Sequence, residues 1–178
     1  MRPQVSGPPI RPARLKDATR PPTKRASAFG GGASKQFVVL ASEFHPAIAR
    51  ALVRGATDTL RRHGVSDAHV RLLWVPGAFE LPVFAARLAR RRPTPDAIIA
   101  LGCLIRGETP QYEVIAHAVA QGLSQVSVMT GVPVTFGVIV AATLAQAKAR
   151  AGGSSGHRGK EAALAALAVL SLLDRHDA

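Results

Sequence analysis

From Phe37 onward, short apolar runs alternate with longer stretches in which apolar residues recur every three or four positions. The short runs are rich in valine, isoleucine and leucine, which predicts buried β-strands. They cover residues 37–41, 70–75, 97–105 and 132–140. The longer stretches have the period of an amphipathic helix. They cover residues 46–64, 77–91, 110–129, 143–151 and 160–173.

Strands that alternate with helices of this length predict βαβ units around a parallel sheet. The expected fold class is α/β, a three-layer αβα sandwich with a four-stranded parallel sheet of the flavodoxin-like type, covered on both faces. Such sheets bind ligands beyond the carboxyl ends of their strands. A site is therefore expected in the loops after Ala41, Val75, Ile105 and Val140.

Charge and proline content divide the chain in two. Residues 1–35 hold eight Lys or Arg against one Asp, more than half of the net charge of +12. We predict a basic, Pro-rich, disordered extension over residues 1–35 and a folded domain over residues 36–175. The prolines oppose the amphipathic helix of a transit peptide. The extension either attracts nucleic acid or is a solvated arm without a partner, and its lack of aromatic residues other than Phe29 favours the solvated arm.

Composition also argues against several kinds of site and segment, namely disulfides, metal sites and membrane spans. A single cysteine, Cys103, excludes a disulfide within the chain and a multi-cysteine metal site, and it fits a reducing, cytoplasmic location. The six histidines show no metal-ligand spacing, so no metal site is expected. Every apolar run is shorter than the ~18 residues of a membrane span, so no membrane partner is expected.

Two strand ends carry candidate binding residues. Phe44 follows the first strand, where its ring either stacks on a planar ligand or plugs the core. The backbone N–H groups of Ala78, Phe79 and Glu80 open a helix after the second strand and offer donors to a ligand. The Glu80 carboxylate either favours the helix dipole or accepts hydrogen bonds from ligand hydroxyls.

A third loop favours an anion. Gly107 permits close approach of the backbone to a ligand, and Thr109 can cap the following helix while offering its hydroxyl. A phosphate would fit there, although neither of the known glycine-rich nucleotide loops is present. Arg150 ends a later helix, where it either favours the helix C-terminus or clamps a phosphate.

Three motifs in register carry a family resemblance: VPGAFELP at residues 75–82, ALGCLIRGETP at 100–110 and GVPVTFGV at 131–138. From residue 37 to 173 the chain resembles the 6,7-dimethyl-8-ribityllumazine synthase family. The resemblance implies condensation of 5-amino-6-(D-ribitylamino)uracil with 3,4-dihydroxy-2-butanone 4-phosphate, the penultimate step of riboflavin biosynthesis. An imine forms, phosphate leaves and the ring closes with loss of water, without a metal or organic cofactor.

The resemblance also implies roles for residues. Phe44 stacks on the pyrimidine, residues 78–80 hold the ribityl chain, residues 103–105 present backbone groups to the pyrimidine edge, and residues 108–109 contact the phosphate. The substrate-binding residues implied within one chain are Phe44, Ala78, Phe79, Glu80, Cys103, Leu104, Ile105, Glu108 and Thr109.

Two further residues are implied to come from a neighbouring subunit. Phe136 lines the neighbour's pyrimidine pocket, and Arg150 binds the phosphate there. A shared site implies a homo-oligomer: a pentamer, which in some family members assembles further into an icosahedral shell of sixty subunits.

The chain departs from the family at its catalytic position. Gln111 stands where the family has a histidine that is thought to shuttle protons, and glutamine does not titrate near neutral pH. General acid–base help is worth ~10²–10⁴ in rate, so reduced activity is expected. His117 lies about 240° round the helix from Gln111 and faces elsewhere. His45, where the family usually has asparagine, is the better substitute.

These departures leave a second function open. The replacement at Gln111, the apolar Ala118 and Ala142, and the basic extension are also typical of a catalytically weakened paralogue. Such a protein would serve as a ligand-binding or shell-forming scaffold.

Overall fold

The computed structural model describes residues 34–176, so the extension predicted over residues 1–35 lies almost wholly outside them. The described part confirms the α/β class. Its strands are β1 Phe37–Ser42, β2 Val70–Val75, β3 Ala97–Ile105, β4 Val134–Ala141, β5 Ala151–Gly153 and β6 Gly156–His157. Its α-helices are α1 Pro46–Arg62, α2 Leu81–Ala89, α3 Gln111–Thr130, α4 Leu144–Arg150 and α5 Arg158–His176.

The main sheet is parallel throughout, in the order β2-β1-β3-β4. The central strand β1 is buried along its whole length, as its unbroken apolar run predicts. Val39 pairs with Leu72 on one side and with Ile99 on the other. Complete burial of such an aliphatic side chain contributes ~1.5–3 kcal/mol, so the central strands hold the fold together.

Helices cover both faces of the sheet. Ile99 shares one core cluster with Leu52 of α1 and Leu167 of α5, whereas Ile98 shares the other with Leu123 of α3. Consecutive strand residues point to opposite faces. The three-layer αβα sandwich predicted from the sequence is therefore confirmed.

The coverage is incomplete at the edge strand β2, where Leu72 and Trp74 are 39% and 38% exposed. The expectation of a sheet covered on both faces is wrong there, because α1 and α2 pack against the more central strands. Among the described residues, no helix combines the length with the apolarity that crossing a membrane requires.

Residues 152–156, predicted as a loop, lie largely in a two-stranded hairpin of β5 and β6. Gly152 and Gly156 have φ of 112° and 95°, a conformation that favours glycine. The hairpin packs on α1 through the His157 ring, since a Cβ at Gly55 would lie 2.0 Å from it. Burial against α1 lowers the pKa of His157.

Several element boundaries also differ from the predicted ones by a few residues. Residues 78–80 form a 3₁₀ turn, so α2 begins at Leu81 instead of Gly77, and Pro82 lies in its first turn. Strand β4 begins at Val134, two residues later than the apolar run suggests. Gly131, with φ of 73°, ends α3.

Candidate functional site

The carboxyl ends of the four parallel strands meet at one edge of the sheet, where the sequence predicts the site. Backbone hydrogen bonds tie the outgoing loops to neighbouring strands. The Glu43 N–H donates to the Val75 carbonyl at 2.8 Å, and the Arg106 N–H donates to the Ala141 carbonyl at 3.0 Å. The loops that follow β1 and β3 therefore leave the sheet in fixed positions.

A cavity of about 240 Å³ lies between these loops and the start of α3. We call it the Phe44 cavity. Its lining comprises Phe44 and His45, residues 103–105 at the end of β3, and Gly107, Thr109, Gln111, Tyr112 and Ile115. It combines the predicted aromatic residue, the backbone of β3 and the predicted anion loop in one place.

The Phe44 ring is 62% exposed, which excludes the alternative of a core plug. Its centroid lies 4.9 Å from that of the His45 ring, and the two planes are nearly perpendicular at 87°. An exposed ring at the mouth of a cavity has a face available to a planar ligand.

The predicted capping role of Thr109 is wrong. Pro110 occupies the N-cap of α3, and no side chain caps that helix. Because the proline displaces Thr109 outward by one position, the hydroxyl does not meet the first N–H groups of the helix. Thr109 instead lines the Phe44 cavity, where its hydroxyl can bond a ligand.

A second cavity, of about 420 Å³, lies one turn further along α3. We call it the Phe79 cavity, and it is lined by Phe79, Glu80, Pro82, Val83 and Ala118. Gln111, Ile115 and Ala118 are spaced by four and three residues and therefore share one face of α3. That face connects the two cavities, whereas His117 lines neither of them, as predicted.

The 3₁₀ turn at residues 78–80 shapes this second cavity. Ala78 is buried and Phe79 is 61% exposed. The Glu80 carboxylate folds back over the preceding turn, because a Cβ at Gly77 would lie 2.7 Å from its Oε2. Gly77 thus leaves room for a carboxylate at the start of the turn.

Cys103 contributes backbone and packing, and its thiol is not a nucleophile at neutral pH. The side chain is fully buried, and burial raises its pKa to about 11. Leu104 and Ile105 follow it at the end of β3 and are partly exposed to the Phe44 cavity. The sequence predicted all three as backbone contacts, which this burial permits.

The remaining predicted residues lie outside the Phe44 cavity of the same chain. Glu108 is exposed on the loop beside it. Phe136 pairs with Ala100, and its five-residue separation from the end of β4 places it roughly 17 Å from the carboxyl edge.

Arg150 is held by its own chain. Its Nη2 donates to Glu161 Oε2 at 2.9 Å, and its Nη1 donates to the Ser155 carbonyl. Arg158 donates to the same Glu161 oxygen at 3.1 Å. Two guanidinium groups therefore share one carboxylate, which leaves this cluster with a net positive charge.

Sequence reasoning missed two lining residues. Ile115 follows Gln111 by four positions, so helix periodicity alone could have placed it on the same face. Tyr112 carries no such signal. Its hydroxyl donates to Glu113 Oε1 at 2.7 Å, and this hydrogen bond raises its pKa.

Two other observations limit the chemistry. Within residues 34–176, no group of three His, Cys, Asp or Glu side chains is arranged to hold a metal ion. A larger cavity, of about 440 Å³, is lined by Glu43, Pro46, Arg50 and Trp74 beside β2, and it contains none of the predicted residues. The candidate site is accordingly the smaller Phe44 cavity together with the Phe79 cavity.

The sequence is similar to those of known proteins over nearly all of the described residues. The sequence model of the 6,7-dimethyl-8-ribityllumazine synthase family matches residues 34–174. A 6,7-dimethyl-8-ribityllumazine synthase from Gemmatimonas aurantiaca is 46% identical over 144 residues, which is 81% of this chain and 87% of the relative. One from Leuconostoc mesenteroides is 38% identical over 142 residues, which is 80% of this chain and 90% of the relative. Both cavities fall inside the range that the family model matches.

Proposed function

This chain belongs to the 6,7-dimethyl-8-ribityllumazine synthase family, and on that premise we propose how its two cavities form the product. The chain is a transferase of riboflavin biosynthesis that condenses 5-amino-6-(D-ribitylamino)uracil with 3,4-dihydroxy-2-butanone 4-phosphate. The observation that carries the proposal is the Phe44 cavity, in which Phe44, Thr109 and Gln111 converge at the end of β3.

The uracil ring binds in the Phe44 cavity, stacked on the exposed face of Phe44. The peptide groups of residues 103–105 meet its polar edge, which supplies donors and acceptors without a charged side chain. The ribityl chain extends along α3 to the Phe79 cavity. There the backbone N–H groups of residues 78–80 and the Glu80 carboxylate bond its hydroxyls.

The phosphate of the second substrate binds at the loop before α3. The Thr109 hydroxyl and the N–H groups of residues 108–109 donate to it, beside the positive end of the helix dipole. Arg150 of a neighbouring subunit completes the phosphate site with a planar, bidentate guanidinium. Glu161 supports this role because it fixes the orientation of the guanidinium within its own chain.

Catalysis rests mainly on positioning. The uracil amine attacks the ketone, water leaves to give an imine, phosphate leaves, and the second amine closes the ring with loss of water. Holding the amine and the ketone at reacting distance replaces a bimolecular encounter, which is worth several orders of magnitude in rate. Gln111 can hold a hydroxyl or carbonyl oxygen through its amide but cannot carry protons.

The shared site requires a homo-oligomer, which we propose to be a pentamer. Exposed apolar side chains support such an assembly, because Val114, Val128 and Met129 on α3 and Phe136 on β4 would be buried by a neighbour. A larger icosahedral shell remains a prediction of the family resemblance, and a cytoplasmic location remains a prediction from the single cysteine.

Nucleic-acid binding by residues 1–35 also stays a prediction. Its test compares RNA retention by the full chain and by a chain without these residues, at low and at high salt.

The test of the activity is direct. Purified protein is mixed with both substrates, and the absorbance of the lumazine product is followed against the uncatalysed reaction. We expect turnover above that background, with saturation in both substrates. A rate equal to the background would reject the proposed activity and favour the scaffold alternative.

A further inference from the structure

We propose that His45 is the proton-transfer residue of this site and takes over the task of the family histidine that Gln111 replaces. The inference rests on the proposed function. It adds a catalytic residue at a position where the family usually has an asparagine.

The geometry brings His45 to the reacting groups. His45 and Gln111 line the same cavity of about 240 Å³, His45 from the loop after β1 and Gln111 from the first turn of α3. The His45 ring lies edge-on to the Phe44 ring at a centroid distance of 4.9 Å. It therefore lies beside the ring on which the uracil is proposed to stack.

The other lining residues cannot carry protons near neutral pH. Burial raises the pKa of the Cys103 thiol to about 11, and the hydrogen bond to Glu113 raises the pKa of Tyr112. Gln111 does not titrate, and the rest of the lining is apolar, glycine or threonine. Imidazole is the side chain that changes charge in this pH range.

The backbone conformation of His45 fixes the direction of its Cα–Cβ bond. His45 has φ of 59° and ψ of 64°, the left-handed conformation that few residues other than glycine adopt. Its carbonyl accepts hydrogen bonds from the N–H groups of Ile48 and Ala49, both at 3.0 Å. The side chain itself does not cap α1, so the ring nitrogens are not engaged at the helix end.

The charged side chains on the segments that form the cavity are Glu43, Arg50, Arg106, Glu108 and Glu113, all of them exposed. Within residues 34–176, no salt bridge includes His45. Salt screens the interactions of charges at such exposed positions.

The proton transfer that most needs a base precedes phosphate loss. In the protonated imine, neutral His45 removes the proton from the carbon between the imine carbon and the carbon that bears the phosphate. The C–H electron pair forms a carbon–carbon double bond, and the imine π electrons move to nitrogen, which gives a neutral enamine. When the nitrogen pair returns, the C–O bond breaks and phosphate leaves with its electron pair. The proton remains on His45 as imidazolium.

The experiment is a double-mutant cycle of His45→Asn and Gln111→His. Asparagine tolerates the left-handed backbone, so His45→Asn removes the imidazole with little strain. We expect His45→Asn to lower kcat at least ~10²-fold in the native background, which is the scale of general acid–base help. In the Gln111→His background it should lower kcat less than ~3-fold, because the restored histidine carries the proton. The acidic limb of the native kcat–pH profile should disappear in His45→Asn.

Other results would overturn the inference. An equal loss in both backgrounds would mean that His45 has only a structural role, and an unchanged kcat would mean that it has none. His117→Asn is the matched control, since His117 is exposed on α3 and lines neither cavity; it should leave kcat and the pH profile unchanged. If neither the native protein nor Gln111→His exceeds the uncatalysed rate, the proposed function itself fails, and that outcome is distinguishable from the others.

Discussion

Two parts of the site differ in how completely one chain builds them. The Phe44 cavity is assembled from three segments, the loop after β1, the end of β3 with its loop, and the start of α3, which meet at the carboxyl edge of the sheet. Arg150, the residue expected to bind phosphate, is tied by hydrogen bonds to Glu161 and Ser155 instead of facing that cavity. In the proposed site, one chain therefore holds the pocket for the heterocycle and the guanidinium for the phosphate in separate places.

The way in which Arg150 is held bears on how the proposed site is divided between two chains. A guanidinium that its own chain orients and partly neutralises is pre-organised, so less conformational entropy is lost when a phosphate binds. A second guanidinium, that of Arg158, shares the carboxylate and keeps the cluster cationic. This arrangement suits a group that one subunit presents to another.

The largest expected effect comes from Arg150→Ala. Removing a preorganised donor to a charged group typically costs ~10²–10³ in rate, and we expect this loss in kcat/KM for the phosphorylated ketone. The fold should persist because Arg158 still pairs with Glu161. Steady-state kinetics checks the loss, and Lys148→Ala, an exposed cation on the same helix, is the matched control that should change little.

Assemblies that mix two different variants test whether neighbouring subunits share a site. An Arg150→Ala chain is co-expressed with a chain that carries Phe44→Ala and Thr109→Ala, and each variant is also assayed alone under conditions where it is much less active than the native protein. If neighbours share sites, random assembly of a closed ring leaves about a quarter of the sites with both halves intact, and activity returns to that level. Mixtures as inactive as their components would mean that no site is shared.

A smaller effect is expected for Phe44→Ala. This substitution tests the Phe44 cavity, which is the part of the proposed site that one chain forms alone. Loss of stacking of ~1–1.5 kcal/mol should raise KM for the uracil substrate about 10-fold. Because the ring is 62% exposed, the free energy of unfolding should change by less than ~0.5 kcal/mol. Thermal unfolding and KM measured on the same preparation separate the two effects, and Phe44→Tyr should keep the native KM.

The smallest effect is expected at the Cys103 thiol. Its pKa of about 11 leaves a thiolate fraction on the order of 10⁻⁴ at neutral pH, and the thiolate appears only as the pH rises toward that value. Iodoacetamide should therefore neither modify the native protein at pH 7 nor lower its activity, whereas the unfolded chain should react. Stoichiometric labelling of the folded protein would contradict the buried position.

The sequence predicts most of the fold because the central strands are apolar without interruption, and their burial follows from that pattern. The uncovered edge at Leu72 and Trp74 is not predictable in the same way, since the two residues look as apolar as buried ones. Residues 152–156 look like a flexible loop because a hairpin this short has no periodicity to detect.

The candidate site shows a similar limit. Phe44 and Thr109 are candidates because of their positions after strands, since parallel topology brings strand ends together, whereas Gln111 is a candidate only through the family resemblance. Their exact orientation cannot be predicted in this way, because Pro110 occupies the capping position that the sequence pattern suggests for Thr109. Which residues face each other on neighbouring strands, such as Phe136 and Ala100, depends on strand register, which an apolar run does not specify.

Gly159 has a consequence beyond packing. A methyl group on it would lie 2.1 Å from the Leu52 carbonyl oxygen, so α1 and α5 touch there backbone to backbone. That contact sets the height of the first turn of α5, from which both Arg158 and Glu161 project. The absence of a side chain at Gly159 thereby helps to set where the positive charge of Arg150 and Arg158 lies on the surface of this chain, which is where the proposed shared site would meet it.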